Sequence, residues 1–154
     1  MKVVNCKANP LAMKSIVKKI TLEVPVKVIW DKWTTEGGIK SFFAKKCKVQ
    51  LEIGGAFEMY FLLGNQQGLQ GSEGCKILSY LPEKMLSFSW NAPPEYPTVR
   101  GIHTWVVLLF KESGAHTELT LTHLGWGTGE EWDKVYAYFE NAWDFVFNKL
   151  KESI

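Results

Sequence analysis

Three histidines, His103, His116 and His123, are the only side chains of this 154-residue chain that change charge near neutral pH unaided. His123 is the informative one. In HTELTLTH (116–123), Leu119, Leu121 and His123 share a strand face, and alternation makes that face the inner one. An imidazole there either orients a ligand in a cavity or is a satisfied polar group at a strand end. His103 and His116 stand at strand starts, where water reaches them. Cys6, Cys47 and Cys75 are odd in number, widely spaced and without a CxxC pair or a nearby histidine. That pattern gives neither a zinc site nor a disulfide framework, and no metal or cofactor is expected. Glu52, Glu58 and Glu118 fall on outer strand faces, so no buried carboxylate pair is expected. No nucleophile motif joins a serine or cysteine to a histidine, and no catalytic residue is assigned.

Two glycine-rich stretches invite a phosphate reading. Gly54-Gly55 in LEIGGAFEMYF (51–61) is followed by a strand, not by the helix and Lys-Ser/Thr that a phosphate cradle needs. A hairpin is the better reading. A two-residue loop would face Glu58 toward the core. A three-residue loop, Ile53-Gly54-Gly55, pairs Leu51 with Phe57 and Val49 with Met59, with Gly55 in the left-handed conformation of a bulge. That register is expected, and it puts Cys47, Val49, Leu51, Phe57, Met59 and Phe61 on one apolar face. GWGTG (125–129) reads as the connection into a helix, with Thr128 and Glu131 forming a capping box.

These residues need elements to position them. SIVKKITLEV (15–24) alternates as a strand, with Lys18 the exception on its apolar side. Pro25 suits the first turn of a short helix carrying Val26, Ile29, Trp30 and Trp33. Gly37-Gly38 ends it, and IKSFFA (39–44) reads as a second. Six further strands follow: CKVQLEI, AFEMYFLL, CKILSYL, MLSFSWN, HTWVVLLFKE and HTELTLTHL. NAPPEYPTVRG (91–101), with three prolines, reads as loop. The last element is a helix whose apolar stripe is Trp132, Val135, Tyr136, Phe139, Trp143, Val146 and Leu150. At about 22 residues it is about 33 Å long, enough to lie across a sheet. Consecutive strands argue for an antiparallel meander. The expected fold is α+β: a seven-stranded curved antiparallel sheet around a long C-terminal helix, with two short helices after strand 1.

Composition narrows the function. A net charge of +2 is too small to argue for nucleic acid. There is no apolar run of membrane-spanning length, so no membrane insertion is expected, and free thiols suit a cytoplasmic location. Residues 1–12 lack periodicity and read as a poorly ordered N-terminal extension, leaving 13–154 as one domain. With seven Trp and nine Phe, aromatic content reaches 14%. So much bulky apolar surface must be hidden in a core, a cavity or an interface.

Five segments in order resemble the START-like, birch-pollen-allergen-like (SRPBCC) superfamily. VPVKVIWDKWTT with IKSFFA is similar to its A-P-x-x-x-V-W opening, and VQLEIGGAFEMYF to its glycine hairpin. GCKILSYLPEKMLSFSW, HTELTLTHLGW and NAWDFVFNKLKESI match its later strands and closing helix. Together they resemble the branch named after the activator of the heat-shock protein 90 ATPase, from about Ser15 to Ile154. Departures are Phe42 in place of a frequent Trp, Ala142 in place of Gly before Trp143, and His116 in place of Gly before Thr117.

The resemblance implies a helix-grip fold with a cavity between sheet and helix that in many relatives holds apolar ligands. The cavity candidates are Phe42, Phe57, Met59, Phe61, Phe88, Trp90, Val106, Leu121, His123, Trp132, Phe139 and Trp143. Pattern alone leaves open whether these line a cavity or fill a core. In TWVVLLF (104–110), Val106, Leu108 and Phe110 face inward, so Trp105, Val107 and Leu109 face outward where relatives carry polar residues. They are either an exposed apolar strip or the interface of a homodimer. The expected function is binding of a small hydrophobic, lipid-like or amphipathic ligand. The alternatives are a protein-interaction or chaperone-associated module and an enzyme acting on an apolar substrate.

Overall fold

The structure, a computed structural model, describes residues 13–154; the extension expected over residues 1–12 lies outside the described residues. Strand β1 (Ile16–Leu22) leads into helices α1 (Val26–Thr34) and α2 (Glu36–Lys40). Then come β2 (Lys46–Val49), β3 (Phe57–Tyr60), β4 (Ile77–Leu81) and β5 (Met85–Trp90). A short α3 (Pro97–Arg100) precedes β6 (Thr104–Ser113), β7 (His116–Leu124) and the long α4 (Glu130–Glu152). These are the seven antiparallel strands and the grip helix that the alternation and the 3.6-residue stripe predict. Five strands form a ladder in the order β1-β7-β6-β5-β4, and β2-β3 form a second ladder. Bridges Ala56–Lys76 and Tyr60–Gly71 stitch β3 and its flanks to the region around β4.

The inner sheet face and the α4 stripe make one core. Val106, Leu108, Phe110, Leu119 and Leu121 from the central strands are buried, as are Trp132, Val135, Phe139, Trp143, Val146, Phe147 and Leu150 of α4. Lys18 remains on the apolar side of β1 because its ammonium reaches past the core to Asp144 of α4, at 3.0 Å. The stem packs while the charge stays wet.

Local geometry departs from the sequence reading at four places. The first is the glycine hairpin. Val49 pairs with Phe57 and Cys47 with Met59, two residues from the expected register. The turn holds residues 51–55, closed by Gln50 N–H to the Ala56 carbonyl (2.9 Å). It docks on β4, with Gly54 N–H donating to the Ile77 carbonyl and Ile77 N–H to the Gly55 carbonyl. Gly54, at φ 78°, is the left-handed residue, not Gly55. Gly55 is needed for another reason: a Cβ there would overlap the Gln50 carbonyl oxygen. A shift of two preserves face parity, so Cys47, Val49, Phe57 and Met59 still share a side, but Leu51 is exposed.

The second departure is at α2. Gly37 and Gly38 lie inside this helix rather than between helices; the break falls at Thr35, whose hydroxyl caps it by accepting from Gly38 N–H at 3.0 Å. Phe42 and Phe43 follow in a turn. Gly38 sits so close to α1 that a Cβ would overlap the Asp31 carbonyl oxygen, so helix packing, not flexibility, accounts for that glycine. The third is the start of α4. Gly129 (φ 115°) occupies the cap position, no side chain caps the helix, and the Thr128–Glu131 box does not form. The fourth is the proline-rich loop, which contains the single turn of α3, opened by Pro97.

Candidate functional site

Phe139, Ala142, Trp143 and Val146 recur along α4 at three- and four-residue steps, so they share one face. Opposite them stand Trp90, at the end of β5, and the segment Asn91-Ala92-Pro93-Pro94 that follows. Phe43, after α2, and Phe61 and Leu62, after β3, close the remaining side. Between these walls lies an open groove of about 800 Å³. The small Ala142 side chain, flanked by Phe139 and Val146, leaves part of that space. The floor is a continuous aromatic surface. Trp90 and Trp143 lie 5.7 Å apart, Phe43 lies 5.8 Å from Trp90 and 6.0 Å from Trp143, and Phe139 stacks on Trp143 at 6.1 Å. Phe61 (46% exposed), Tyr138 and Phe145 (63% exposed) rim the mouth.

His123 lies behind this floor, fully buried. Trp143 Nε1–H donates to His123 Nδ1 at 2.9 Å. Indole nitrogen only donates, so Nδ1 is the bare nitrogen and Nε2 carries the proton. Nε2–H then donates to Thr104 Oγ1 at 2.7 Å, and the Thr104 hydroxyl is directed at the Trp90 carbonyl at 3.4 Å. The rings of Trp126, Phe139 and Trp143 surround the imidazole. Burial pushes its pKa down to about 3, so it is neutral at pH 7. Both nitrogens are occupied. The network fixes the orientation of Trp143 and ties it to the main chain at Trp90, the two largest rings of the floor.

The polar end of the groove is organised by Arg100, the single arginine of the chain. Its guanidinium donates to the carbonyls of Gly68 (2.9 Å), Gly71 (2.8 Å) and Ala92, and lies 3.6 Å from Glu73. The Glu73 carboxylate in turn accepts from the main-chain N–H groups of Gly68, Gln70 and Gly71. Arg100 thus holds the β3–β4 connection against the loop after β5, and these are the two walls of that end. Asn65, Gln70, Asn91, Glu95 and Asn141 also line the groove.

Of the candidates raised from the sequence, Phe61, Trp90, Phe139 and Trp143 come together on the groove walls. Phe42, Phe57, Met59, Phe88, Val106, Leu121, His123 and Trp132 are buried in the core instead. Phe57 and Phe88 pack on each other at 4.2 Å, which leaves no space for a ligand between them. Sequence reasoning missed Phe43, Asn91 and Arg100. A usable signal existed for the loop wall: NAPPEYPTVRG is apolar and proline-stiffened immediately after an inward-facing tryptophan. No comparable signal pointed to Arg100, which becomes a wall residue only through contacts 29 and 32 positions away. On the outer sheet face Trp105 is 37% and Leu109 49% exposed, with Val107 half-buried between them.

A curved antiparallel sheet closed over a long C-terminal helix, with an aromatic groove between them, defines the START-like helix-grip class. Within it, the chain belongs to the family described as Activator of Hsp90 ATPase homolog 1-like protein, whose model matches residues 23–154. Among solved structures it is similar to protein MLL2253 from Mesorhizobium loti (TM-score 0.73, 19% identity, 91% of this chain and 96% of that one). It is also similar to the Aha1 dimer from Colwellia psychrerythraea (TM-score 0.70, 18% identity, 92% and 96%). A third similar structure is CalU16 from Micromonospora echinospora (TM-score 0.66, 22% identity, 90% and 73%). At these identities the likeness is one of fold. No curated protein matches the chain by sequence. Among the described residues, no helix is long and apolar enough to cross a membrane.

Proposed function

We propose that this protein binds a small hydrophobic or amphipathic molecule in the groove between the sheet and α4. The observation that carries this reading is the groove itself. At about 800 Å³ it falls in the range of small-molecule sites, with an aromatic floor and polar groups gathered at one end. A binding role also fits the buried histidine, whose two nitrogens are engaged and which lies behind the wall rather than on it. The neutral fluorophore N-phenylnaphthylamine is expected to bind saturably, one per chain, with a rise in emission. Ala142→Trp fills the space between Phe139 and Val146 and is expected to weaken that binding at least about tenfold. Absence of saturable binding, or equal binding by the filled variant, would overturn the reading.

A second reading concerns self-association, and it rests on the outer face of β6. Trp105, Val107 and Leu109 form an apolar strip on a sheet face that ordinarily alternates toward polar residues. A second copy of the chain laid on this strip would cover it, and one structure of similar fold is described as a dimer. Light scattering is expected to give twice the chain mass, and Trp105→Ser to return it to the mass of one chain. A wild-type protein that stays at one chain mass at high concentration would refute this.

A further inference from the structure

The amide side chains of the groove are each oriented by one contact with the main chain. Asn65 Nδ2 donates to the Leu69 carbonyl (2.9 Å), and Gln70 Nε2 to the Asn65 carbonyl (2.9 Å). Asn91 Nδ2 donates to the Gly71 carbonyl and Asn141 Nδ2 to the Ala137 carbonyl, each at 3.2 Å. A carbonyl only accepts, so these contacts fix which end of each amide is nitrogen. Every amide therefore directs one of its two N–H groups into the protein, and no protein donor among the described residues reaches its oxygen. Each amide thus offers a ligand its oxygen beside one remaining N–H, so these side chains can meet a donor-bearing head without themselves deciding its charge.

The charges set the preference. Arg100 is the cation of the groove, but three main-chain carbonyls and Glu73 surround it. Two of its five N–H groups are left, and its charge is answered by Glu73. Glu95, on the same wall, has no lysine, arginine or histidine within 4 Å among the described residues. Glu95 and Tyr138 of α4 both line the mouth; burial first, and the Glu95 charge second, hold the Tyr138 phenol above its usual range. At the mouth, Lys149 lies 5.5 Å from the Phe145 ring but is paired with Glu152, so Glu95 is the charge of the groove lining that no partner within 4 Å answers among the described residues. Below it lies a floor of aromatic faces, whose quadrupoles attract cations.

We infer that the groove selects an amphipathic amine: a flat apolar body lying on the Trp90–Trp143 floor, with a positively charged, donor-bearing head at Glu95 and the amide oxygens. This rests on the groove-binding reading and adds its chemical class. A carboxylate of the same skeleton would meet the like charge of Glu95.

Three pyrene compounds test it: pyrenylmethylamine, pyrenylmethanol and pyrenecarboxylic acid, titrated at pH 8 with energy transfer from the groove tryptophans as readout. The amine is expected to bind at least about tenfold tighter than the acid, with the alcohol between them. Glu95→Gln is expected to bring the amine-to-alcohol ratio to about one. The inference is overturned, and the groove reading kept, if the acid binds as tightly as the amine or if Glu95→Gln leaves the ratio as it was. Failure of all three compounds to bind would remove both.

Discussion

Replacing Trp143 by alanine is expected to destabilise the fold by about 3–5 kcal/mol, the largest single effect anticipated for this protein. The ring is 1% exposed even though its face forms the groove floor, and it touches Phe43, Trp90 and Phe139. Three losses combine. The cavity left behind is bounded by α4 and β5, which cannot collapse without moving the sheet. The aromatic contacts disappear. His123 Nδ1 is left as a buried acceptor with no donor, a further cost of about 1–3 kcal/mol included in the total. Trp143→Phe separates these terms in part, because it keeps an aromatic ring in the site while removing the indole N–H together with the smaller part of the bicycle. Equilibrium urea unfolding measures both variants. A loss of under about 1 kcal/mol for Trp143→Ala would mean that the floor is not packed as described.

Acidification is expected to weaken the fold through His123. The free imidazole pKa is 6.5 and the folded value about 3. Between those values the unfolded chain binds a proton that the folded chain refuses, so stability is highest above pH 6.5 and falls as pH decreases. The slope is about 1.4 kcal/mol per pH unit at its steepest, about 2 kcal/mol lost by pH 5, levelling off near the folded pKa. The cause is burial: protonating Nδ1 would place a charge among Trp126, Phe139 and Trp143 and oppose the Trp143 N–H. His103, also depressed by burial and by Arg100, adds a contribution of the same sign. Comparing wild type with His123→Gln isolates the larger part. The variant is expected to be less stable at pH 7 and to lose most of the slope between pH 7 and 5. A ring-proton resonance of His123 that titrates in the folded protein above pH 5 would contradict this account.

Both expectations trace to an element that the sequence located without explaining. Alternation in HTELTLTH placed His123 on the inner face, and the strand is where it was expected. Its partners could not be read, because Thr104 and Trp143 lie 19 and 20 positions away on other elements. The glycine hairpin shows a different limit. A period of two is blind to a shift of two, so the pattern settled which side Phe57 and Met59 occupy while leaving their partners open. The choice fell to the docking of the turn on Ile77, a contact with another strand.

What the sequence determined by itself is direction. Alternation set the inner and outer faces of β6 and β7, and the three- and four-residue spacing set the buried stripe of α4, because those periods are properties of the backbone. The tertiary structure decided depth. Phe57 and Trp90 both point inward, yet Phe57 meets Phe88 and is core, whereas Trp90 also faces the space beside Ala142 and is wall. Whether an inward side chain meets another atom or a groove depends on what stands opposite, and that is supplied by a distant part of the chain.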